Sequence, residues 1–482
     1  MSTPNNTFDP EPPPQPLGHD GLATPRRYWA VVALSLGTAL AVIDGTIVTV
    51  ALPTLARDLH VDPSSVVTVV SVYQLVLVMA LLPFSALGAR IGLRRMYQYG
   101  QLMFAVASVL CFFARSLPFL LVVRAIQALG AAAALSVSSA LIRSIYPSKQ
   151  LGRGLGVNSV VVSSTSALAP TLGGAILSIA AWPWIFAAAA PLAVVSLWVG
   201  RKALPQPTPL SEPYDVLGAL LCALTFGLTI SGIESTVHGD SPVVSAAIIV
   251  AGIIIGFVFV RRELNERSPI LPVDLLARPL LALSVTGAFT AFTASMTFIL
   301  SLPFRLQQDY GFSPTEVGAV ITPWPLAMMV VAPVAGVLSD RFPAGVLGGI
   351  GMSIATTALC LLAFLPVDAT YFDISWRMAL CGLGNGLFLA PNARLVVASA
   401  PIERAASAGG LVSTTRLTGQ TLGATLLAAL LAMNVGAGRT PAFVAAGLTL
   451  IAGICSVVRL SPTIRTVPAR GQVTQDNDNV ND

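Results

Sequence analysis

The chain has 482 residues, 55% of them hydrophobic and 10% charged, with a net charge of +5 and a mean hydropathy of +0.79. Soluble domains carry about 25% charged residues, so a single water-soluble core is excluded and the expected solvent is lipid. The basic excess sits in short loops, without interleaved aromatics, which excludes a nucleic-acid interface.

Residues 1–27 are polar and Pro-rich and lack a basic n-region, so they are expected to form a disordered cytoplasmic tail rather than a signal peptide. A spanning helix needs about 20 apolar residues. Runs of that kind lie near 28–55, 66–87, 98–114, 118–142, 157–180, 184–199 and 216–233. Further runs lie near 243–260, 280–302, 317–338, 346–365, 378–397, 409–433 and 442–458. They predict an all-α polytopic membrane protein with fourteen transmembrane helices, because lipid cannot satisfy open backbone groups. Residues 463–482 form a second polar tail, also expected to be disordered and cytoplasmic.

The positive-inside bias fixes the expected orientation. Placing both termini in the cytoplasm puts Arg90, Arg94, Arg95, Arg143, Lys149, Arg153, Arg201, Lys202, Arg261, Arg262, Arg267, Arg278, Arg341 and Arg404 on the inner face. The outer face then holds Arg57, Arg115, Arg305, Arg377 and Arg439. Arginine dominates lysine, which occurs only at Lys149 and Lys202 and suggests a bacterial source.

The chain repeats itself. Gly130, Pro147 and Gly156 recur as Gly384, Pro401 and Gly410 at one constant offset, and L-G-A-R-I at Leu87 resembles L-S-D-R-F at Leu338. Duplicated bundles with a site between them are a common transporter plan. The expected halves are six-helix bundles over 28–202 and 279–462. The linker 203–278 then carries two extra helices as an inserted hairpin.

Few residues carry chemistry. Asp44 lies deep in the first run, where an ionised carboxylate costs several kcal/mol. It must pair with a cation or take a proton. Arg124, in the fourth run, keeps its charge and is its expected partner. A carboxylate that alternates between these states can couple proton flow to transport; a static ion pair or a bundle brace is the plainer alternative. Arg394, Arg416 and the rim acid Glu234 are read as structural. Aromatics, Met and amides within the spans nominate a substrate cavity: Tyr73, Gln74, Gln127, Met296, Phe298, Trp324, Met328, Asn385, Phe388 and Asn392. Pro170, Gly173 and Gly174 remove a donor and side-chain bulk, as suits a hinge or close packing.

The five cysteines form no CxxC and the three histidines lie outside the runs, so no metal site or disulfide framework is expected. There is no P-loop, H-E-x-x-H or G-x-S-x-G, which argues against an ATP-driven pump, an enzyme or a cofactor.

These features resemble the major facilitator superfamily, and within it the fourteen-span drug:proton antiporters. The resemblance rests first on Asp44-Gly45-Thr46-Ile47-Val48-Thr49-Val50-Ala51-Leu52-Pro53, similar to D-x-T-I-V-N-V-A-L-P with Thr49 for Asn. Ala169-Pro170-Thr171-Leu172-Gly173-Gly174 is similar to the exporter motif G-P-x-x-G-G, and is implied to mark antiporters. Arg124-Ala125-Ile126-Gln127-Ala128-Leu129-Gly130 is similar to R-x-x-Q-G-x-G and implies a role for Arg124 in proton coupling. The loop at Arg90, Gly92 and Arg94 resembles G-x-L-x-D-R-x-G-R-R, with Ala89 replacing the acid. Its cognate holds Gly336, Asp340 and Arg341. Both loops are implied to gate the cytoplasmic side.

The resemblance implies export of small lipophilic drugs or toxic compounds from a bacterial inner membrane in exchange for protons, and lipophilic cations suit the lone buried acid Asp44. That is multidrug efflux of the antibiotic-resistance type, by a monomer surrounded by lipid. A dedicated exporter of an amino acid or secondary metabolite is the alternative. A non-transporting membrane receptor is a more distant one.

Overall fold

The computed structural model describes residues 21–147, 150–206, 215–237, 241–264, 276–339, 341–366, 368–399 and 405–461. Every regular element among them is a helix. In chain order these are α1 (Arg26–Asp58), α2 (Pro63–Ile91), α3 (Leu93–Phe112), α4 (Leu117–Ile145), α5 (Leu151–Ile179), α6 (Pro183–Ala187), α7 (Ala189–Ala203) and α8 (Val216–Val237). They continue as α9 (Pro242–Glu263), α10 (Pro279–Asp309), α11 (Pro314–Ile321), α12 (Pro323–Leu338), α13 (Ala344–Ala363), α14 (Tyr371–Ala398), α15 (Ala405–Ala432) and α16 (Thr440–Val458).

All fourteen apolar runs fall on helices. Ten rods are long and apolar enough to cross a membrane by length and composition, counting α6–α7 and α11–α12 as one rod each. Both of those rods are interrupted, at Ala188 and at Thr322. Pro191 cannot donate to the Ala187 carbonyl, and Pro323 and Pro325 remove two donors in succession. The runs near 184–199 and 317–338 are therefore broken rods rather than single helices.

The helices pack as two groups. In the first, α1 lies on α5 and α7, α2 on α4, and α3 on α4 and α7. In the second, α10 lies on α15 and α16, while α14 lies on α12 and α13. The groups meet along α2 and α15, between α5 and α11–α12, and between α1 and α10. The repeated glycines explain themselves at the crossings. A β-carbon on Gly130 would lie 2.6 Å from the Phe104 nitrogen, and one on Gly384 would lie 2.5 Å from the Gly351 carbonyl oxygen. Each thus lets a backbone of α4 or α14 touch its neighbour, α3 or α13.

α8 and α9 pack on each other, and α8 also touches α2 and α15. Near the Arg-rich face, Arg262 Nη1 donates to Asp215 Oδ2 over 2.6 Å, and Gly218 N–H donates to Asp215 Oδ1 over 2.9 Å. The Arg262 hydrogen bond holds the Asp215 carboxyl below its ordinary range. Its contribution to stability is therefore present above the unfolded carboxylate pKa of about 4. It is lost as pH falls through the lowered folded value. Asp215→Asn is expected to cost less than about 1 kcal/mol at pH 7, because the pair is partly exposed. The difference from wild type should vanish in acid, which thermal melting at the two pH values checks.

Candidate functional site

Asp44 sits 18 residues into α1 (44 − 26), roughly 27 Å along the helix at 1.5 Å per residue. Its flanks are apolar, and Thr46 and Thr49 return their hydroxyls to backbone carbonyls of α1. The carboxylate is therefore satisfied from other helices. Arg124 of α4 donates through Nη1 to Asp44 Oδ2 over 2.5 Å, and both residues are 1% exposed. Gln127, one turn further along α4, donates through Nε2 to Asp44 Oδ1 over 2.9 Å and to Ser108 Oγ over 2.9 Å. Its Oε1 accepts from Arg124 Nη1 over 2.7 Å. Arg124 Nε donates to the Val69 carbonyl of α2 over 3.5 Å. The guanidinium lies 4.2 Å from the Tyr73 ring centroid and 5.1 Å from that of Phe186.

Two charges thus cancel inside a closed polar cluster built from α1, α2, α3 and α4, with aromatic cover from α2 and α6. Burying them is tolerable because the geometry is short and Gln127 hydrogen-bonds both the carboxylate and the guanidinium. Of the predicted cavity residues, Tyr73 and Gln127 belong to this cluster. Gln74, one residue on, is also buried.

A concavity lies elsewhere. It has a volume of about 370 Å³ and lies between the groups, in the halves of α5, α10, α12, α14 and α15 nearest the Arg-rich face. Its polar lining is Asn158, Ser284, Asn392 and Thr415; Phe292 and Leu389 contribute to its apolar wall. Asn392 is the predicted cavity residue that lines it. Phe298 and Trp324 stack on each other, centroids 6.0 Å apart, in an apolar cluster against which Met328 also packs. Met296 lies in the cluster joining α1, α2 and α10, and Phe388 in the α10–α13–α14–α16 contact. Asn385 donates to the Cys381 carbonyl and accepts from Ser295.

Opposite the cavity the groups are sealed. A β-carbon on Gly173 would lie 2.9 Å from the Ile47 carbonyl oxygen, and one on Gly174 would lie 2.6 Å from that of Pro314. On the facing helix, a β-carbon on Gly318 would lie 2.3 Å from the Pro170 carbonyl oxygen. Thr171 and Thr322 share a 2.5 Å hydroxyl contact, and Thr315 Oγ1 donates to the Gly174 carbonyl over 3.0 Å. The Pro170, Gly173 and Gly174 segment is thus the place where α5 meets α1 and α11 backbone to backbone.

The predicted gate loops lie on the Arg-rich face. Gly92 joins α2 to α3 at φ +102°, a conformation that favours glycine; Arg90 is exposed and Arg94 partly buried. In the second loop Arg341 is exposed, and the Gly336 carbonyl accepts from Arg394 Nη1 over 3.1 Å. Asp340 lies outside the described residues.

Arg459 was not anticipated, because it directly follows the last apolar run and reads as its terminator. It is 3% exposed and donates through Nη1 to Ser284 Oγ over 2.9 Å and Asn392 Oδ1 over 2.5 Å. Ser108 was missed too, since a lone serine in an apolar run gives no signal.

Comparison with known proteins agrees with this architecture. The chain is 43% identical to the uncharacterized transporter YebQ of Escherichia coli (strain K12), over 90% of this chain and 96% of that protein. It is 27% identical to the riboflavin transporter RibZ of Clostridioides difficile (strain 630), over 85% and 90% of the two chains. It is likewise 27% identical to the multidrug efflux pump LfrA of Mycolicibacterium smegmatis, over 90% and 88%. Residues 34–424 and 283–477 match the Major Facilitator Superfamily, and this chain belongs to that family of membrane transporters.

Proposed function

We propose that this chain is a fourteen-span, proton-coupled antiporter that exports small lipophilic compounds by alternating access. Its two six-helix bundles, about 28–202 and 279–462, flank the α8–α9 hairpin, and both termini face the cytoplasm of a bacterial inner membrane. The observation that carries this reading is the Asp44–Arg124 pair, fully buried in apolar surroundings and bridged by Gln127. Intramembrane ionisable groups of this kind mark ion and proton pathways.

The cavity on the Arg-rich side and the seal on the other side correspond to a conformation that receives substrate from the cytoplasm. In it Asp44 is charge-satisfied by Arg124. Protonation of Asp44 during the outward-facing phase removes the anion that holds Arg124, so the α1–α4 contact weakens. Return and deprotonation rebuild the contact. One proton enters as substrate leaves.

Multidrug export is supported by the likeness to LfrA. A dedicated metabolite exporter is the second reading, favoured by the likeness to RibZ and by the four polar side chains on the cavity wall. The earlier preference for cationic substrates loses its physical support here, because the charge of Asp44 is already taken by Arg124. The purified protein in sealed liposomes tests the proposal. Imposing a pH gradient is expected to accelerate movement of a dye panel at least about tenfold over empty liposomes, with proton counterflow read by an internal pH indicator. Dye movement indifferent to the gradient rejects proton coupling.

A further inference from the structure

The cavity lies beside two cations of the second group, and no acid lines it among the described residues. Ser284 and Asn392 are both on its wall, and both hold Nη1 of the buried Arg459. Arg459 Nε has no hydrogen-bond partner among the described residues. Arg416 follows the lining residue Thr415 on α15 and lies one turn beyond the lining residue Val412. It is only partly buried, and it has no ion pair among the described residues. The one acid deep in the first group, Asp44, is spent on Arg124 and does not line the cavity. A low-dielectric pocket with two positive charges near its wall, neither ion-paired among the described residues, carries a positive potential, and such a potential selects among charged solutes.

We propose that this cavity binds small amphipathic anions, with a carboxylate or similar acid group directed toward the Ser284–Asn392–Arg459 cluster and Arg416. The apolar body of the solute lies against Phe292, Leu389 and their neighbours. The pocket size agrees, since 370 Å³ is at the lower end of the range for small-molecule sites. Ser284 and Asn392 are buried in the wall, 0% and 3% exposed, so an acid group reaches Arg459 by displacing one of their contacts with it. This inference deepens the export proposal by naming its substrate class, and it rests on the same cavity being the transport site.

A charge series on one fluorophore tests it. The full chain in phosphatidylcholine nanodiscs is titrated with dansylglycine (anionic), its methyl ester (neutral) and dansylcadaverine (cationic), with empty nanodiscs subtracted. Dansylglycine is expected to bind at least about tenfold more tightly than dansylcadaverine, the size of one partly screened charge contact. The ester should fall between them. Arg416→Gln is expected to weaken dansylglycine about tenfold and the ester less than about twofold. Arg459→Lys, which keeps the charge, should preserve the order of the three probes.

Tighter or equal binding of dansylcadaverine overturns the proposal. So does failure of dansylglycine to saturate, or an equal effect of Arg416→Gln on acid and ester. Because Arg459 also ties α16 to α10 and α14, the wild-type series decides the matter if an arginine variant does not fold. The assay uses no gradient, so its failure is distinct from failure of proton coupling. Gradient-driven export of a cation alone would sink the anion site and leave the exporter standing.

Discussion

Asp44→Asn is expected to reduce pH-gradient-driven efflux to the level of empty liposomes. Asparagine keeps the size of the side chain and one oxygen for Arg124 or Gln127, so the packing of α1 on α4 is preserved. It cannot take up a proton near neutrality, so the step that links proton entry to the α1–α4 contact is gone. The variant also leaves Arg124 as a buried cation without its anion. Breaking such a pair costs about 3–5 kcal/mol, so a lower melting temperature is expected alongside the loss of coupling. Two measurements separate the effects. Exchange of labelled for unlabelled substrate across the liposome membrane, with no gradient, should persist in Asp44→Asn. Adding Arg124→Gln should recover much of the lost stability without recovering gradient-driven efflux. Efflux that still follows the pH gradient in Asp44→Asn would refute the role of this carboxyl group. Loss of exchange together with efflux in a well-folded variant would make Asp44 a binding residue instead.

The Asp44–Arg124 ion pair was legible in the sequence because lipid leaves few explanations for an acid or an arginine among some twenty apolar residues. Asp44 and Arg124 could be paired before any geometry was known, and Gln127 stood one helical turn from Arg124 on the same face. The α5 contact was legible only in outline: Gly173 and Gly174 beside Pro170 have no side chain to offer, which suits a bend in the helix, a seal or ordinary close packing alike. The cavity wall was not legible. In a membrane both the bundle interior and the lipid are apolar, so a spanning helix need not show a polar face and an inner face. Phe298, Trp324 and Phe388 therefore looked as suitable for a cavity as any residue, yet they fill helix contacts. Ser284 and Thr415, which do line it, are hidden in sequence because each bonds a carbonyl four residues back, of Leu280 and Leu411. Arg459 belonged by position to the chain end, and only the fold turns it under α10 and α14.

Gly318→Val is expected to lower efflux at least about tenfold by acting on the seal. The added β-carbon would stand 2.3 Å from the Pro170 carbonyl oxygen, and a backbone atom cannot swing away as a side-chain tip can. α11 must then retreat from α5, and the contacts of Gly174 with Pro314 and of Thr171 with Thr322 open with it. Overpacking of this kind costs roughly 1–3 kcal/mol. The whole cost falls on conformations in which this side is closed. A transporter whose two end states are nearly balanced would shift by roughly 5–150-fold toward the other state. The cavity would then be shut to the Arg-rich side. Labelling of Asn158→Cys, a partly exposed residue of the cavity wall, by a membrane-impermeant maleimide added from that side in a background without the native cysteines, should fall by a similar factor. Gly447→Ala on α16 serves as the control, since nothing lies within 4 Å of the β-carbon it would add. Unchanged labelling in Gly318→Val would mean that α5 and α11 do not govern opening, and that the two groups exchange states about some other contact.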